Sequence, residues 1–230
     1  MLDIKKHRQV MFEIITDLYR SSLGSYLGFK GGTMAYFFYG LDRFSVDLDF
    51  DLLEEKKKAF VYSHLPEIVK KYGVIKEQTD KRYTLFYLLN YEKNNRNIKI
   101  EISKRKTAYV EYTISNFYGT DVKISKIEDA MATKLLACTT RNRLAYRDFY
   151  DAYFYLKKGI IPNEKIIKEE SGKKLKDYLL SLIQFIQKNV SNRSILQGIG
   201  EFVNEKQKIW IKNHLKIELV NRINFLISQI

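Results

Sequence analysis

Residues 29–52 read FKGGTMAYFFYGLDRFSVDLDFDL, and the two halves of this stretch are interpretable only together. The apolar run Tyr26 to Phe29 predicts a strand, Gly31-Gly32 a tight turn, and Thr33 to Tyr39 a helix carrying aromatic residues over most of its surface. A helix that begins on such a turn presents its first backbone N–H groups, with their partial positive charge, to whatever lies above it, and a phosphate suits that position. After thirteen intervening residues beyond Thr33 the chain reaches Asp47-Leu48-Asp49. The period of two in Val46-Asp47-Leu48-Asp49-Phe50 puts both aspartates on one face of a strand and Val46, Leu48 and Phe50 on the other. Two carboxylates so close on an otherwise apolar strand repel each other unless a cation shares them. Paired oxygen ligands, completed by phosphate oxygens, are what Mg²⁺ takes up.

Outward from this stretch, composition narrows the class of protein. A chain of 230 residues with 45% hydrophobic content has ample material for a core. Its net charge of +13 favours a polyanionic partner, although lysine-rich composition of the kind found in AT-rich genomes produces the same balance without any partner. One cysteine, Cys138, excludes an internal disulfide and fits a reducing compartment. The N-terminus lacks a secretory pattern and no apolar run is long enough to span a bilayer, so the expected location is cytoplasmic, with no membrane partner.

Along the chain, residues 3–22 predict an amphipathic helix, and Glu54 to Tyr72 a second helical segment that Pro66 breaks or kinks. Val74 to Lys76, Tyr83 to Tyr91 and Asn97 to Ser103 have strand composition, the last two joined by the hairpin signal EKNNRN. In the third of these, Ile98, Ile100 and Ile102 face one way and Lys99, Glu101 and Ser103 the other; taken alone, the second face reads as a solvated Lys–Glu pairing. Tyr109 to Ile124 adds one or two strands. From Ile127 the periodicity is helical. Lys134 falls within the apolar stripe of helix 126–141, which costs free energy unless its amine emerges at the surface or meets an anion. In helix 146–157, Asp148, Asp151 and Ala152 share a face opposite Phe149, Tyr150, Tyr153 and Phe154, and Asp151 is placed to pair with Arg147. Gly159 and Pro162 mark a boundary, and the helical remainder carries a higher density of positive charge than the rest. Gln197 to Gly200 reads as a turn, and Trp210 and His214 as packing residues.

Gly-Gly-Thr, a spacer and Asp-x-Asp resemble the first motif of the DNA-polymerase-beta-like nucleotidyltransferase superfamily. The longer string KGGT…YGL-x-RFS-x-DLDF resembles its AbiEii/AbiGii branch, the nucleotidyltransferase toxins of toxin–antitoxin and phage-abortive systems, to which the MenT toxins also belong. Lys99-Ile100-Glu101 is similar to the second motif, which makes Glu101 the third acid of the metal site. Lys134, Arg141, Arg143 and Arg147-Asp148-Phe149-Tyr150-Asp151 are similar to the third and fourth motifs, which implies a triphosphate contact for Lys134 and a further catalytic acid at Asp148. The resemblance implies an α+β fold with a mixed sheet flanked by helices, divided into a catalytic core at 1–125 and a helical domain at 126–230 that completes the site and contacts RNA.

On that resemblance Asp47, Asp49 and Glu101 hold Mg²⁺, with Mn²⁺ as a substitute. Lys30, Gly31, Gly32, Thr33, Arg43, Ser45, Lys99 and Lys134 surround the NTP. The reaction transfers a nucleoside monophosphate to an RNA, the tRNA 3′ end foremost, and blocks translation, with a cognate antitoxin as a further partner. Two other readings stand beside it: transfer to a small cationic acceptor of the aminoglycoside kind, and a non-catalytic nucleic-acid-binding module.

Overall fold

A computed structural model of the chain describes residues 3–92, 96–105 and 108–230. The chain divides into two compact units. The first comprises 1–40, 44–106 and 111–125, and the second 41–43, 107–110 and 126–230.

The first unit is a seven-stranded mixed sheet in the order β3-β4-β5-β2-β1-β7-β6. Its centre is β1 (Leu27–Lys30), antiparallel to β2 (Leu48–Leu52) and parallel to β7 (Thr120–Ser125). On the other side of β2 runs β5 (Ile98–Ser103), parallel to it, followed by the antiparallel strands β4 (Thr84–Asn90) and β3 (Val74–Lys81). The far edge is β6 (Tyr112–Phe117), antiparallel to β7. Strands β4 and β5 are neighbours as the hairpin signal requires; residues 93–95 of that signal lie outside the described residues. Strand β3 runs further than the sequence pattern reached, because its polar second half pairs with β4 as a solvated edge.

The alternation in β2 and β5 has the anticipated consequence. Phe29, Leu48, Phe50, Ile98, Ile100 and Ile102 are fully buried on one face, where helix α1 (Ile4–Arg20) brings Tyr19 against Phe50, ring centroids 6.5 Å apart. The Tyr19 hydroxyl lies 3.0 Å from the carbonyls of both Leu27 and Lys123, tying α1 to β1 and β7. Helix α2 (Gly31–Met34) starts directly after β1 and widens into a π-turn over Ala35–Tyr39, ended by Gly40 at φ +73°. The regular helix expected over 33–39 is thus interrupted, and its aromatic residues pack on the end of β6, with Phe38 and Phe117 centroids 4.8 Å apart.

Pro66 does not break its helix. It lies inside α3 (Lys58–Val69), flanked by short 3₁₀ turns over Glu55–Lys57 and Lys70–Tyr72. A proline leaves the carbonyl four residues earlier without its N–H partner. That carbonyl, on Tyr62, instead accepts from the Tyr87 hydroxyl at 3.1 Å and from Gln78 Nε2 at 3.0 Å. Strands β3 and β4 therefore supply what the helix lacks.

The second unit is helical: α4 (Ile127–Thr140), α5 (Tyr146–Lys157), α6 (Glu164–Ser171), α7 (Leu175–Asn189) and α8 (Glu205–Gln229). Helix α5 has no solvated face in its middle; Asp148 through Leu156 are all buried. It packs between α4 and α8, where Tyr153 stacks on Trp210 at 4.8 Å. Helix α8 opens with a capping box of Asn204 and Gln207, and Gln207 Nε2 also donates to the Asp42 carbonyl at 2.7 Å. Among the described residues no helix is long and apolar enough to cross a membrane.

Candidate active site

The polar face of the central strands carries the first cluster. Strand register places Lys30 opposite Asp49 and Asp49 opposite Glu101, so these three side chains emerge side by side on three adjacent strands. Asp47, two residues before Asp49, shares their face, and Asp47, Asp49 and Glu101 are each half-buried. Gly31 lies directly beneath Asp49: it has φ +81°, and a Cβ built on it would stand 2.4 Å from Asp49 Oδ2. Only glycine supplies both that backbone conformation and that space. Thr33, fully buried, donates its hydroxyl to the Asp47 carbonyl at 2.5 Å, which staples the start of α2 to the approach of β2. Of the residues anticipated around a nucleotide, Thr33 thus gives its hydroxyl to the protein backbone. Ser45 is half-buried on the approach to β2, and Lys99 is exposed on the acidic face of β5.

Asp51 was not singled out from the sequence, although it continues the period of two through 47 and 49. It is 8% exposed and accepts from Lys30 Nζ at 2.5 Å and from the Tyr112 hydroxyl. Tyr112 reaches this point by lying across β1 at Gly28, where a Cβ would meet its ring at 2.2 Å. The Lys30 ammonium, anticipated at a triphosphate, is therefore held by Asp51.

His7 supports the same strand from below. It is fully buried, with Nε2 2.9 Å from the Val46 carbonyl and Nδ1 2.8 Å from the Tyr91 hydroxyl. A carbonyl only accepts, so Nε2 carries the proton and Nδ1 accepts from Tyr91. Burial lowers its pKa below the ordinary 6.5, against the opposing pull of the Val46 bond and the Asp47 charge.

The second unit holds a buried ionic cluster. The Arg43 guanidinium, 3% exposed, makes a two-pronged pair with Asp151, Nε to Oδ1 and Nη2 to Oδ2, both at 2.6 Å. Lys134 Nζ sits 2.9 Å from Asp151 and 3.0 Å from Asp148. Arg141 closes the cluster by donating to Asp148. Burial alone would raise the Asp151 pKa, but Arg43 and Lys134 hold it below the usual carboxylate range. Burial alone would lower that of Lys134, and the Asp151 and Asp148 charges raise it. The anion that a lysine in an apolar stripe requires is therefore supplied by α5, and Lys134 does not snorkel. Asp151 pairs with Arg43 and Lys134 instead of Arg147, a neighbour on its own helix, because α5 is buried and the partners come from other segments.

Oxygen-rich side chains on one face beside a glycine turn are the chemistry a divalent cation and a triphosphate require. What the fold provides is the alignment of backbone positions. Among the described residues, no three His, Cys, Asp or Glu side chains stand gathered as a ready-made metal-holding group.

The family model described as the nucleotidyl transferase AbiEii toxin of type IV toxin–antitoxin systems matches residues 13–207. No curated protein matches the chain. Among solved structures, JHP933 from Helicobacter pylori superposes with a TM-score of 0.65 at 21% identity, covering 100% of this chain and 94% of that one. An antigenic nucleotidyltransferase-like protein from Paracoccidioides brasiliensis superposes with a TM-score of 0.51 at 15% identity, covering 86% of this chain and 94% of its own. At these identities the likeness is one of fold.

Proposed function

Because the chain belongs to the AbiEii family of nucleotidyl transferase toxins of type IV toxin–antitoxin systems, and is thus a nucleotidyltransferase, we propose that it moves a nucleoside monophosphate from an NTP to the 3′ end of an RNA, tRNA foremost. The observation that carries this reading is the register Lys30–Asp49–Glu101 above Gly31, which lines up carboxylates beside a bare stretch of backbone. In this proposal the β- and γ-phosphates rest on the backbone N–H groups of Gly31 and Gly32, where no side chain intervenes. Asp47, Asp49 and Glu101 are the residues that would hold Mg²⁺ or Mn²⁺. When bound, such an ion lowers the pKa of the attacking hydroxyl and neutralises charge on the departing pyrophosphate. Thr33 keeps Asp47 fixed relative to the turn, and the Lys30–Asp51–Tyr112 chain ties β1 to β2, which limits the reorientation needed to bring the reacting groups into line. Lys99 and Ser45 remain proposed contacts to the donor nucleotide. By the family's third and fourth motifs, Lys134 would neutralise triphosphate charge and Asp148 would serve as a further catalytic acid. Arg43, its fork occupied by Asp151, is assigned to holding the fold.

The positive charge of the chain suits an RNA acceptor, whose phosphates attract it irrespective of sequence. Toxicity through a modified tRNA would be relieved by a cognate antitoxin. Incubation of purified protein with labelled NTPs, Mg²⁺ and total RNA is expected to place label on tRNA-sized product. Asp47→Ala is expected to abolish the label while melting at the wild-type temperature. Near-normal transfer by that variant, or label found only on a small amine, overturns the reading.

A further inference from the structure

Four of the six arginines of the second unit fall into two groups. Arg43 and Arg141 are bound to Asp151 and Asp148. Arg143 and Arg147 have no acidic partner among the described residues, and both line a cavity of about 510 Å³ between the α4–α5 connection and the turn at 197–198. That volume lies within the roughly 300–1,000 Å³ typical of small-ligand sites. Every charged residue lining the cavity is an arginine.

The remaining walls are apolar or bare. Tyr146 is 5% exposed and fixed in place, its hydroxyl 2.6 Å from Ser194 Oγ. Leu144 is 38% exposed and stands beside it. Gly198, at φ +72°, has nothing within 4 Å of where a Cβ would point, so backbone there is open to close approach. Gln197 adds an amide able to donate and accept. Two unneutralised guanidinium groups, an apolar wall and an amide make a site for a nucleotide: phosphate oxygens on the arginines, a base against the wall. A metal-bearing triphosphate would call for carboxylates as well, and none lines this cavity among the described residues.

We propose that this cavity receives the single-stranded end of the acceptor RNA, with Arg143 and Arg147 on phosphodiester oxygens and a base against Leu144 and Tyr146. The identity of the ligand as acceptor rests on the RNA reading under Proposed function. A base must leave its stack to enter a concave site, so single strands are preferred to duplex.

The test is binding without transfer. Full-length protein is titrated into a fluorescent single-stranded RNA oligonucleotide in the absence of NTP and divalent cation, with Arg143→Glu, the milder Arg143→Gln, and a control reversal of an exposed lysine on α8, Lys212→Glu. Arg143→Glu is expected to weaken binding at least about tenfold, and Arg143→Gln to flatten the slope of log K against log salt by about 0.7 for the lost contact. Lys212→Glu is expected to have a much smaller effect. Thermal stabilisation by a non-hydrolysable NTP with Mg²⁺ should be unchanged in every variant. Equal weakening by Arg143→Glu and Lys212→Glu overturns the proposal, as does loss of NTP stabilisation in Arg143→Gln, which would make the cavity a donor site. Should wild-type protein bind RNA through Arg143 yet transfer no label to it, the cavity stands and the acceptor reading fails.

Discussion

At Gly31 a left-handed backbone and a carboxylate occupy the space where any other residue would put its first carbon, 2.4 Å from Asp49 Oδ2. Gly31→Ala is therefore expected to cost about 1–2 kcal/mol in backbone strain alone and to push Asp49 out of register with Glu101. Calorimetric melting should show a lowered but cooperative transition, and nucleotidyl transfer should fall much further than the melting temperature implies. Wild-type transfer in this variant would show that the turn and the acid do not act together. His7 bears on the same strand through pH. Its folded pKa is lowered by burial from 6.5, so its contribution to stability is complete above that value and is lost as pH falls toward the folded pKa. Melting temperature should drop on mild acidification, and His7→Gln should be less stable at neutrality but show a shallower drop. The pairing of Gly31 with Asp49 was legible in outline, since the glycine turn and Asp-x-Asp together announce a phosphate and a cation. The roles of Thr33, Lys30 and Asp51 were not, because a hydroxyl or an ammonium reads the same in sequence whether it faces a ligand or a neighbouring strand.

Helices α4 and α5 show the same limit at the scale of elements. Both were legible from periodicity, and their observed bounds, Ile127–Thr140 and Tyr146–Lys157, lie close to the expected ones. Which charges they bury was not. Asp151 is wholly enclosed and serves two cations at once, one from α4 and one from residues 41–43. Removing one member of such a group leaves the others buried without compensation, a loss of about 3–5 kcal/mol. Asp151→Asn is expected to lower stability by that order in a denaturant titration, and Arg43→Met by a similar amount. Loss of activity in either variant thus reports on folding first; an Asp151→Asn protein that melts normally yet transfers nothing would move this acid from support to chemistry. Pro66 makes the complementary point. The sequence rule that proline interrupts a helix presumes an orphaned carbonyl, and Tyr87 and Gln78 from the neighbouring strands remove that premise.

Across the whole molecule, the sequence offered a change of periodicity at residue 126, and chain order suggested one cut there. Packing assigns residues 41–43 and 107–110 to the helical unit as well. That unit needs them: Arg43 neutralises Asp151, and Asp42 joins Tyr150 and Gln207 by its side chain at 2.8 Å and its carbonyl at 2.7 Å. Residues 126–230 expressed alone are accordingly expected to lack a cooperative unfolding transition in circular dichroism, since Asp151 would lose its guanidinium. A sharp transition in that fragment would mean the two excursions are dispensable.

By itself the sequence determined the strand–turn–helix opening, the alternation that separates acids from core on β2 and β5, and the helical character of the second half, because each is a local or periodic property written in consecutive residues. Only the tertiary structure decided that Asp49 stands opposite Glu101 and above Gly31, that Lys134 and Arg43 are paired with aspartates of α5, and that Arg143 and Arg147 line a cavity with no acidic partner among the described residues. Those outcomes depend on which side chains meet across long separations in the chain, where charge must find its counter-charge once water is excluded.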